Sequence, residues 1–238
     1  MFATLVDNTP WPSQPGSRTA MGPFAGSADA RCIAELASED RFLVVITADS
    51  ASALTLEREL PFYLSRNIEL LSFPDWETLP YDNFSAHQDI ISERLSTLHK
   101  LRHVSSGILL VPIPTLMHRL PPTDYIAASS LVLEAGQALD IDRFRQDLAR
   151  NGYQHVETVF EHGEFALRGS LFDIFPMGSD FPYRIDLLDD EVDSLRTFDP
   201  ESQRTVDKVE RINLLPGREY PMDKASISRF QMRWYDAF

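Results

Sequence analysis

Hydrophobic residues in the first half of the chain form short continuous runs separated by segments with helical spacing. The segment 41–48, with FLVVI at its centre, is typical of a parallel strand buried on both faces, and 68–73 and 107–113 predict two more strands. Strands that alternate with helices predict a parallel α/β sheet. Four helices are predicted. The first covers 28–37, and the second is capped by Asp49 or Ser50 and ends near Pro61. The third covers 89–101 and follows a capping box formed by Ser85 and Gln88, and the fourth covers 115–120.

The second half has a different pattern, with one helix and several short alternating segments. Residues 131–134 predict a strand, and Asp140 is positioned to cap a helix over 141–150 that closes at Asn151 and Gly152. Three strands follow as an antiparallel meander, at 165–175, 183–188 and 192–198, with turns at 177–180 and 189–191. This half is therefore predicted to be α+β.

The middle strand of the meander predicts two chemically different faces, because alternate side chains of a strand point to opposite sides. One face is apolar and fits a core, and the other is mixed. Arg168 on the first strand is a candidate to join Arg184 on the mixed face, beside Leu188. Arginines next to an apolar residue suit a protein-binding face, although an ordinary solvated sheet face explains the same pattern. The apolar face comprises Tyr183, Ile185 and Leu187, and the mixed face Arg184, Asp186 and Leu188.

These patterns divide the chain into a domain at 1–123, a second at 124–214 and a further segment at 215–238. Residues 1–27 are rich in Pro, Gly and Ser and predict irregular structure. Residues 215–238 are predicted to be the truncated start of a further part of the protein. They contain a predicted helix from about Asp223, with an apolar stripe of Phe230, Trp234 and Phe238. A membrane-surface helix is the rival interpretation of that stripe, although its basic residues are few.

Charge and cysteine content narrow the class of protein. The net charge of −14 argues against nucleic-acid binding by this chain alone, because such binding depends on Lys and Arg side chains that neutralise phosphates. Cys32 is the only cysteine, so no disulfide framework or thiolate metal cluster is expected, which fits a reducing cytoplasm. The sequence has no apolar run of membrane-spanning length, and a soluble cytoplasmic protein without membrane contact is expected.

The sequence contains few candidate motifs for catalysis or for nucleotide or metal binding. A phosphate-binding loop needs glycines followed by Lys and Ser or Thr, but the expected place, 24–31, lacks the lysine and carries Asp29. The clusters 87–89 and 161–164 have no recognised zinc spacing, and no catalytic constellation is apparent. Trp76 and Tyr81 could stack on bases, but their acidic neighbours favour a packing role. We expect no cofactor, no metal and no catalytic residue.

The run FALRGSLFDIFPMGSDFPYRIDLLDDEVDSLRTFDPESQRT, residues 165–205, resembles the UvrA-binding domain of the bacterial transcription-repair coupling factors, the Mfd family. The excision-repair protein UvrB carries a related version with an RG…DIFP strand. Residues 44–64 and 73–101 resemble the degenerate helicase-like first domain of the same family. UvrB has an intact phosphate loop and a long tyrosine-rich insertion for inspecting DNA, whereas this chain has neither.

The resemblance implies that the mixed face docks on UvrA through Arg168, Arg184 and Leu188, where the family often has Phe at the last position. It also implies intramolecular contacts with later domains, and contacts with RNA polymerase and DNA only through regions outside this chain. The leading hypothesis is a non-catalytic interaction region that recruits UvrA for nucleotide excision repair. The alternatives are a nucleotide hydrolase with a divergent phosphate loop and a nucleic-acid-binding module.

Overall fold

The structure, a computed structural model, describes residues 14–37, 41–65, 67–79 and 82–237. Its helices are α1 (Ala28–Leu36), α2 (Ser50–Tyr63), α3 (Gln88–Lys100), α4 (Ile113–Leu116), α5 (Thr123–Ala128), α6 (Ile141–Arg150) and α7 (Lys224–Ala237). Its strands are β1 (Phe42–Thr47), β2 (Leu70–Ser72), β3 (Gly107–Pro112), β4 (Leu131–Glu134), β5 (Gln154–His155), β6 (Glu164–Arg168), β7 (Leu171–Ile174), β8 (Tyr183–Leu188), β9 (Glu191–Phe198), β10 (Thr205–Val209) and β11 (Arg211–Leu214). The predicted class, a parallel α/β part and an antiparallel meander, is confirmed.

The described residues form two compact units by their contacts. The first unit holds the described residues up to Asp75 together with His103–His118, and the second holds those within Trp76–Arg102 and Arg119–Phe238. Helix α3 therefore groups with the residues that follow 119. The domain limits predicted at 123 and 214 stay a prediction.

The first unit contains a parallel sheet in the order β1-β3-β2. Helices α1 and α2 contribute Ala30, Leu56 and Leu60 to a core with Ile108 and Leu110 of β3. The expectation that 41–48 is buried on both faces is wrong. Strand β1 lies at the edge of the sheet, and only one of its faces packs on that core. Leu43 and Val45 pack on it, whereas Val44 and Ile46 are 53% and 52% exposed.

Several helix ends differ from the sequence predictions, and the helix predicted at 115–120 ends already at Leu116. Helix α2 continues past Pro61 to Tyr63, because a proline in the last turn removes only its own N–H, and Leu64 N still donates to Leu60 O at 3.0 Å. The Ser85 capping box is wrong: His87 is the N-cap of α3, and its Nδ1 accepts from Asp89 N at 3.3 Å. Helix α4 begins early, at Ile113, because proline is favoured in a first helical turn.

The second unit is built on a six-stranded sheet in the order β10-β9-β8-β7-β6-β5, antiparallel except for the β5–β6 pair. Helix α6 covers one face of it, and Asp140 caps that helix as predicted, accepting from Arg143 N at 3.0 Å. Strands β4 and β11 pair beside the same core. The fully buried residues Phe172, Ile185 and Leu195 stand directly opposite one another on the covered face.

The predicted first strand of the meander, 165–175, is wrong as a single strand. It is a hairpin of β6 and β7, with Arg168 opposite Leu171 and a two-residue turn at Gly169 and Ser170. Gly169 has a φ of +64°, which glycine adopts without the steric cost that other residues pay. The second predicted strand is confirmed as β8, and the third begins one residue early as β9.

The sequence predicts an irregular segment at the start of the chain and a helix at its end. Residues 14–27 have no helix or strand, in line with the predicted irregular segment, whose first 13 residues lie outside the described ones. Helix α7 begins next to Asp223 as predicted, and Phe230 on it is 54% exposed. The side chain of Trp234 and all of Phe238 lie outside the described residues. No helix in the described part of the chain is long and apolar enough to cross a bilayer.

Candidate protein-binding face

The predicted site residues lie on the face of the six-stranded sheet opposite α6, which is open except where Val159, Ala166, Phe175 and Phe198 form a small buried cluster. The apolar side of β8 packs inward as predicted: Ile185 is fully buried, and Tyr183 and Leu187 pack against the core. The opposite side carries two cross-strand rows, which we call the mixed face. The first row is Ala166, Asp173, Arg184, Arg196 and Lys208, and the second is Arg168, Leu171, Asp186 and Ser194.

Arg184 is held firmly on this face rather than projecting from it. Its Nε and Nη2 donate to Asp173 Oδ1 and Oδ2 at 2.7 and 2.9 Å, and its Nη1 donates to Gln203 O at 3.1 Å. The guanidinium also lies 4.8 Å from the ring centre of Phe198, and the side chain is only 14% exposed. The hydrogen bonds to Asp173 raise the pKa of Arg184 above its usual value. Only the edge of the Arg184 guanidinium is therefore exposed and able to make further contacts.

Arg168 shares the same carboxylate but is more open. Its Nη2 donates to Asp173 Oδ2 at 2.5 Å, and its side chain is 46% exposed, whereas that of Asp173 is 1% exposed. One buried carboxylate thus holds two arginines from different strands. Because a charge-assisted hydrogen bond is short and directional, this arrangement fixes where both guanidinium groups lie.

Leu188 lies at the end of β8, on the same side of the strand as Arg184. It is 67% exposed and stands opposite Glu191, next to the tight turn that Asp189 makes with a φ of +52°. Four residues along a strand separate it from Arg184 by about 13 Å. The structure therefore brings all three predicted residues to one face, with Arg184 the least accessible of them.

Three charged residues of the mixed face were not predicted from sequence: Asp173, Arg196 and Lys208. A single strand over 165–175 gave no reason to place Asp173 opposite Arg184, and only the hairpin at Gly169 produces that register. The sequence pattern could have placed Arg196 on the mixed face, since Arg196 follows the apolar Leu195 in an alternating strand. Lys208 lies on β10, for which no strand was predicted.

The two histidine clusters singled out in the sequence meet in the second unit. His162 Nδ1 is 2.7 Å from Asp89 Oδ1, its Nε2 is 2.8 Å from Ser179 O, and its ring is 3.9 Å from that of Phe175. No group of three or more metal-binding side chains is arranged to hold an ion among the described residues. This contact ties the start of α3 to the meander.

Trp76 packs as its acidic neighbours suggested, and Tyr81 lies outside the described residues. The indole Nε1 donates to Glu219 Oε2 at 2.8 Å, and Arg94 lies 4.8 Å from the ring centre. Arg94 and Glu219 form a buried pair through two hydrogen bonds of 2.9 and 2.8 Å. Sequence reasoning missed this pair, because its partners are 125 residues apart.

Comparison with known proteins shows what the second unit is similar to. Residues 131–220, which contain the whole mixed face, match the family described as the UvrB interaction domain. The chain as a whole is similar to transcription-repair-coupling factors: it is 48% identical over 228 residues to that of Escherichia coli (strain K12) and 47% identical to that of Haemophilus influenzae. A Staphylococcus aureus (strain USA300) relative is 32% identical over 216 residues.

These alignments cover 95%, 95% and 90% of this chain but 20%, 20% and 18% of the relatives. The chain thus spans about one fifth of the length of the curated relatives it matches. The resemblance to the N-terminal region of the Mfd family is confirmed.

Proposed function

We propose that this chain is a non-catalytic recruitment region that binds UvrA through the mixed face and so brings excision repair to stalled transcription complexes. The observation that carries the proposal is the grouping of Arg168, Arg184 and Leu188 on one open sheet face. That face lies within the stretch that matches the UvrB interaction domain. Arginine, with tryptophan and tyrosine, is among the residues that most often dominate binding energy, whereas leucine does so less often.

The roles of the three residues follow from their exposure. Arg168 and Leu188 are open enough to lose solvent on docking, so they supply a charge-assisted hydrogen bond and an apolar contact. Arg184 supplies a fixed edge whose position depends on Asp173. Leu188 fills the place of the aromatic residue common in the family by apolar contact, without stacking.

In the longer protein, other regions would carry the contacts with RNA polymerase and DNA. We propose that later domains also make intramolecular contacts with this chain, and that the whole acts in the cytoplasm. The alternative of a divergent nucleotide hydrolase predicts saturable binding of an ATP analogue. Asp29 argues against it, because its carboxylate accepts from Ala30 N at 2.8 Å at the start of α1, where a phosphate would have to lie.

Calorimetric titration of the 238-residue chain with UvrA tests the proposal. We expect Arg168→Ala and Leu188→Asp each to weaken binding by about 1–4 kcal/mol. Leu188→Asp should leave the unfolding midpoint nearly unchanged because Leu188 is exposed, whereas Arg168→Ala should lower it slightly because Asp173 keeps only the hydrogen bonds from Arg184. Arg143→Ala, which removes a 79% exposed arginine from α6, is the matched control and should bind as the parent does. Unchanged affinity in both face variants would reject the assigned face.

A further inference from the structure

The first row of the mixed face places three cations side by side in a chain whose net charge is −14. Arg184 is directly opposite Arg196 on β9, and Arg196 is directly opposite Lys208 on β10. Like charges at directly opposed positions of a sheet destabilise it. The row is therefore a local cost to the free protein, and an acidic surface docked against it would offset that cost.

The carboxylates of Asp173 and Asp186 cancel this charge only in part at the surface, because both are less exposed than Arg168, Arg196 and Lys208. Asp173 is 1% exposed and Asp186 26%, whereas Arg168 is 46% and Arg196 44% exposed, and Lys208 is exposed as well. The two rows together hold four cations and two carboxylates. A partner that approaches β9 and β10 at this row meets the exposed Arg196 and Lys208, while the exposed carboxylate of Glu191 lies opposite Leu188 at the end of β8.

Arg196 is held less tightly than Arg184. Its Nη1 lies 3.4 Å from Asp186 Oδ2, beyond the 2.7–2.9 Å typical of a charge-assisted hydrogen bond, and Asp186 also accepts from Ser194 Oγ at 2.9 Å. A partner carboxylate could pair with the planar guanidinium through two parallel hydrogen bonds. Lys208, at the outer strand, offers a point charge beside it.

We propose that Arg196 and Lys208 extend the docking face across β9 and β10, where they receive a carboxylate-bearing patch of the protein partner. This inference rests on the proposed function and adds the chemistry of the partner surface. An acidic protein is favoured over nucleic acid because the carboxylates of Asp173 and Asp186, together with the overall negative charge, would repel a phosphate backbone. The exposed Leu188 on the same face also suits a protein surface.

The test is UvrA binding by the double variant Arg196→Gln with Lys208→Gln, measured at about 50 and about 200 mM salt so that charge screening is visible. We expect affinity at the lower salt to fall about three- to tenfold, and the salt dependence of binding to become shallower. The matched control is Arg143→Gln with Arg150→Gln, which removes two positive charges from exposed positions on α6. The control should keep the parent affinity and salt dependence.

The outcomes separate this inference from the proposed function. If the double variant binds UvrA like the parent while Arg168→Ala loses affinity, the extension to β9 and β10 is wrong and the proposed function stands. If the control loses as much affinity as the double variant, the effect is general charge and the extension is again wrong. Failure of the parent chain to bind UvrA overturns both. If the parent chain shifts duplex DNA in a gel and the double variant does not, the row binds nucleic acid and the extension is wrong.

Discussion

Asp173 accepts two hydrogen bonds from Arg184, from Nε at 2.7 Å and from Nη2 at 2.9 Å, while its own side chain is 1% exposed. The geometry is the two-pronged pairing that planar guanidinium and carboxylate groups favour. Under the proposed function, Asp173 acts without touching the partner, by fixing the position of Arg184 on the docking face.

The first prediction concerns this buried carboxylate. Asp173→Asn should lower the free energy of unfolding by about 3 kcal/mol, because it leaves the largely buried Arg184 without its counter-charge. Urea denaturation measures the loss, and UvrA affinity should fall in the fraction that is still folded. Asp186→Asn is the control on the same face: it removes the same charge from a looser, 26% exposed site and should cost less than about 1 kcal/mol. Equal losses in the two variants would contradict the positioning role.

The second prediction concerns the turn that presents Arg168. Gly169 has a φ of +64°, and a Cβ at this position would meet nothing within 4 Å, so substitution is limited by backbone conformation alone. Gly169→Ala should cost about 1 kcal/mol of unfolding free energy, and Gly169→Asn less, because asparagine tolerates this region. Thermal unfolding of both variants provides the comparison. A larger cost for asparagine than for alanine would show that steric contact, not φ, limits the position.

The third prediction concerns the pair of Arg94 and Glu219, whose side chains are 0% and 2% exposed. Glu219→Gln should cost about 3 kcal/mol, because it leaves a buried guanidinium without a counter-charge. A double-mutant cycle with Arg94→Met should give a coupling energy of about 2 kcal/mol. Arg143→Gln with Asp147→Asn, an exposed pair on α6, serves as the reference and should couple by less than about 0.5 kcal/mol. Additive effects at Arg94 and Glu219 would show that the pair contributes no specific interaction.

The fourth prediction concerns alkaline pH. Burial raises the pKa of Tyr153, whose hydroxyl donates to Leu215 O at 2.7 Å and accepts from Met177 N at 3.3 Å. In the unfolded chain the phenol ionises near pH 10. The folded state therefore favours the neutral form, so the contribution of Tyr153 to stability is constant below about pH 10 and is lost as the pH rises above it. Burial raises the pKa of Tyr125 and Tyr220 to about 12, which adds to the same trend.

Urea midpoints measured at pH 8 and pH 11 check the alkaline effect. Tyr153→Phe should lose about 1–3 kcal/mol at pH 8, because Leu215 O and Met177 N are left without a partner. Its further loss between the two pH values should be smaller than that of the parent protein. The same further loss in both proteins would mean that Tyr153 does not carry the pH dependence.

Elements with strong local signals could be predicted from the sequence. Helix α6 has an Asp140 cap and ends at Arg150, just before Asn151 and Gly152, and strand β3 is a continuous apolar run, so neighbouring residues alone specify them. The alternation in β8 likewise placed Ile185 in the core and Arg184 outside. The candidate residues Arg168, Arg184 and Leu188 came from that alternation together with the resemblance of 165–205 to a known family.

Only the tertiary structure decided which groups meet. The hairpin at Gly169 sets the register that puts Asp173 under two arginines, and the fold brings Arg94 to Glu219 across 125 residues. The exposure of Val44 follows from which face of β1 the helices cover, which the apolar run itself does not encode. Local propensity depends on a few adjacent residues, whereas pairing, burial and shared charge depend on strand order and packing. The sequence alone therefore determined the elements with strong local signals and the candidate residues Arg168, Arg184 and Leu188, and the fold determined the remaining strands and the geometry of the mixed face.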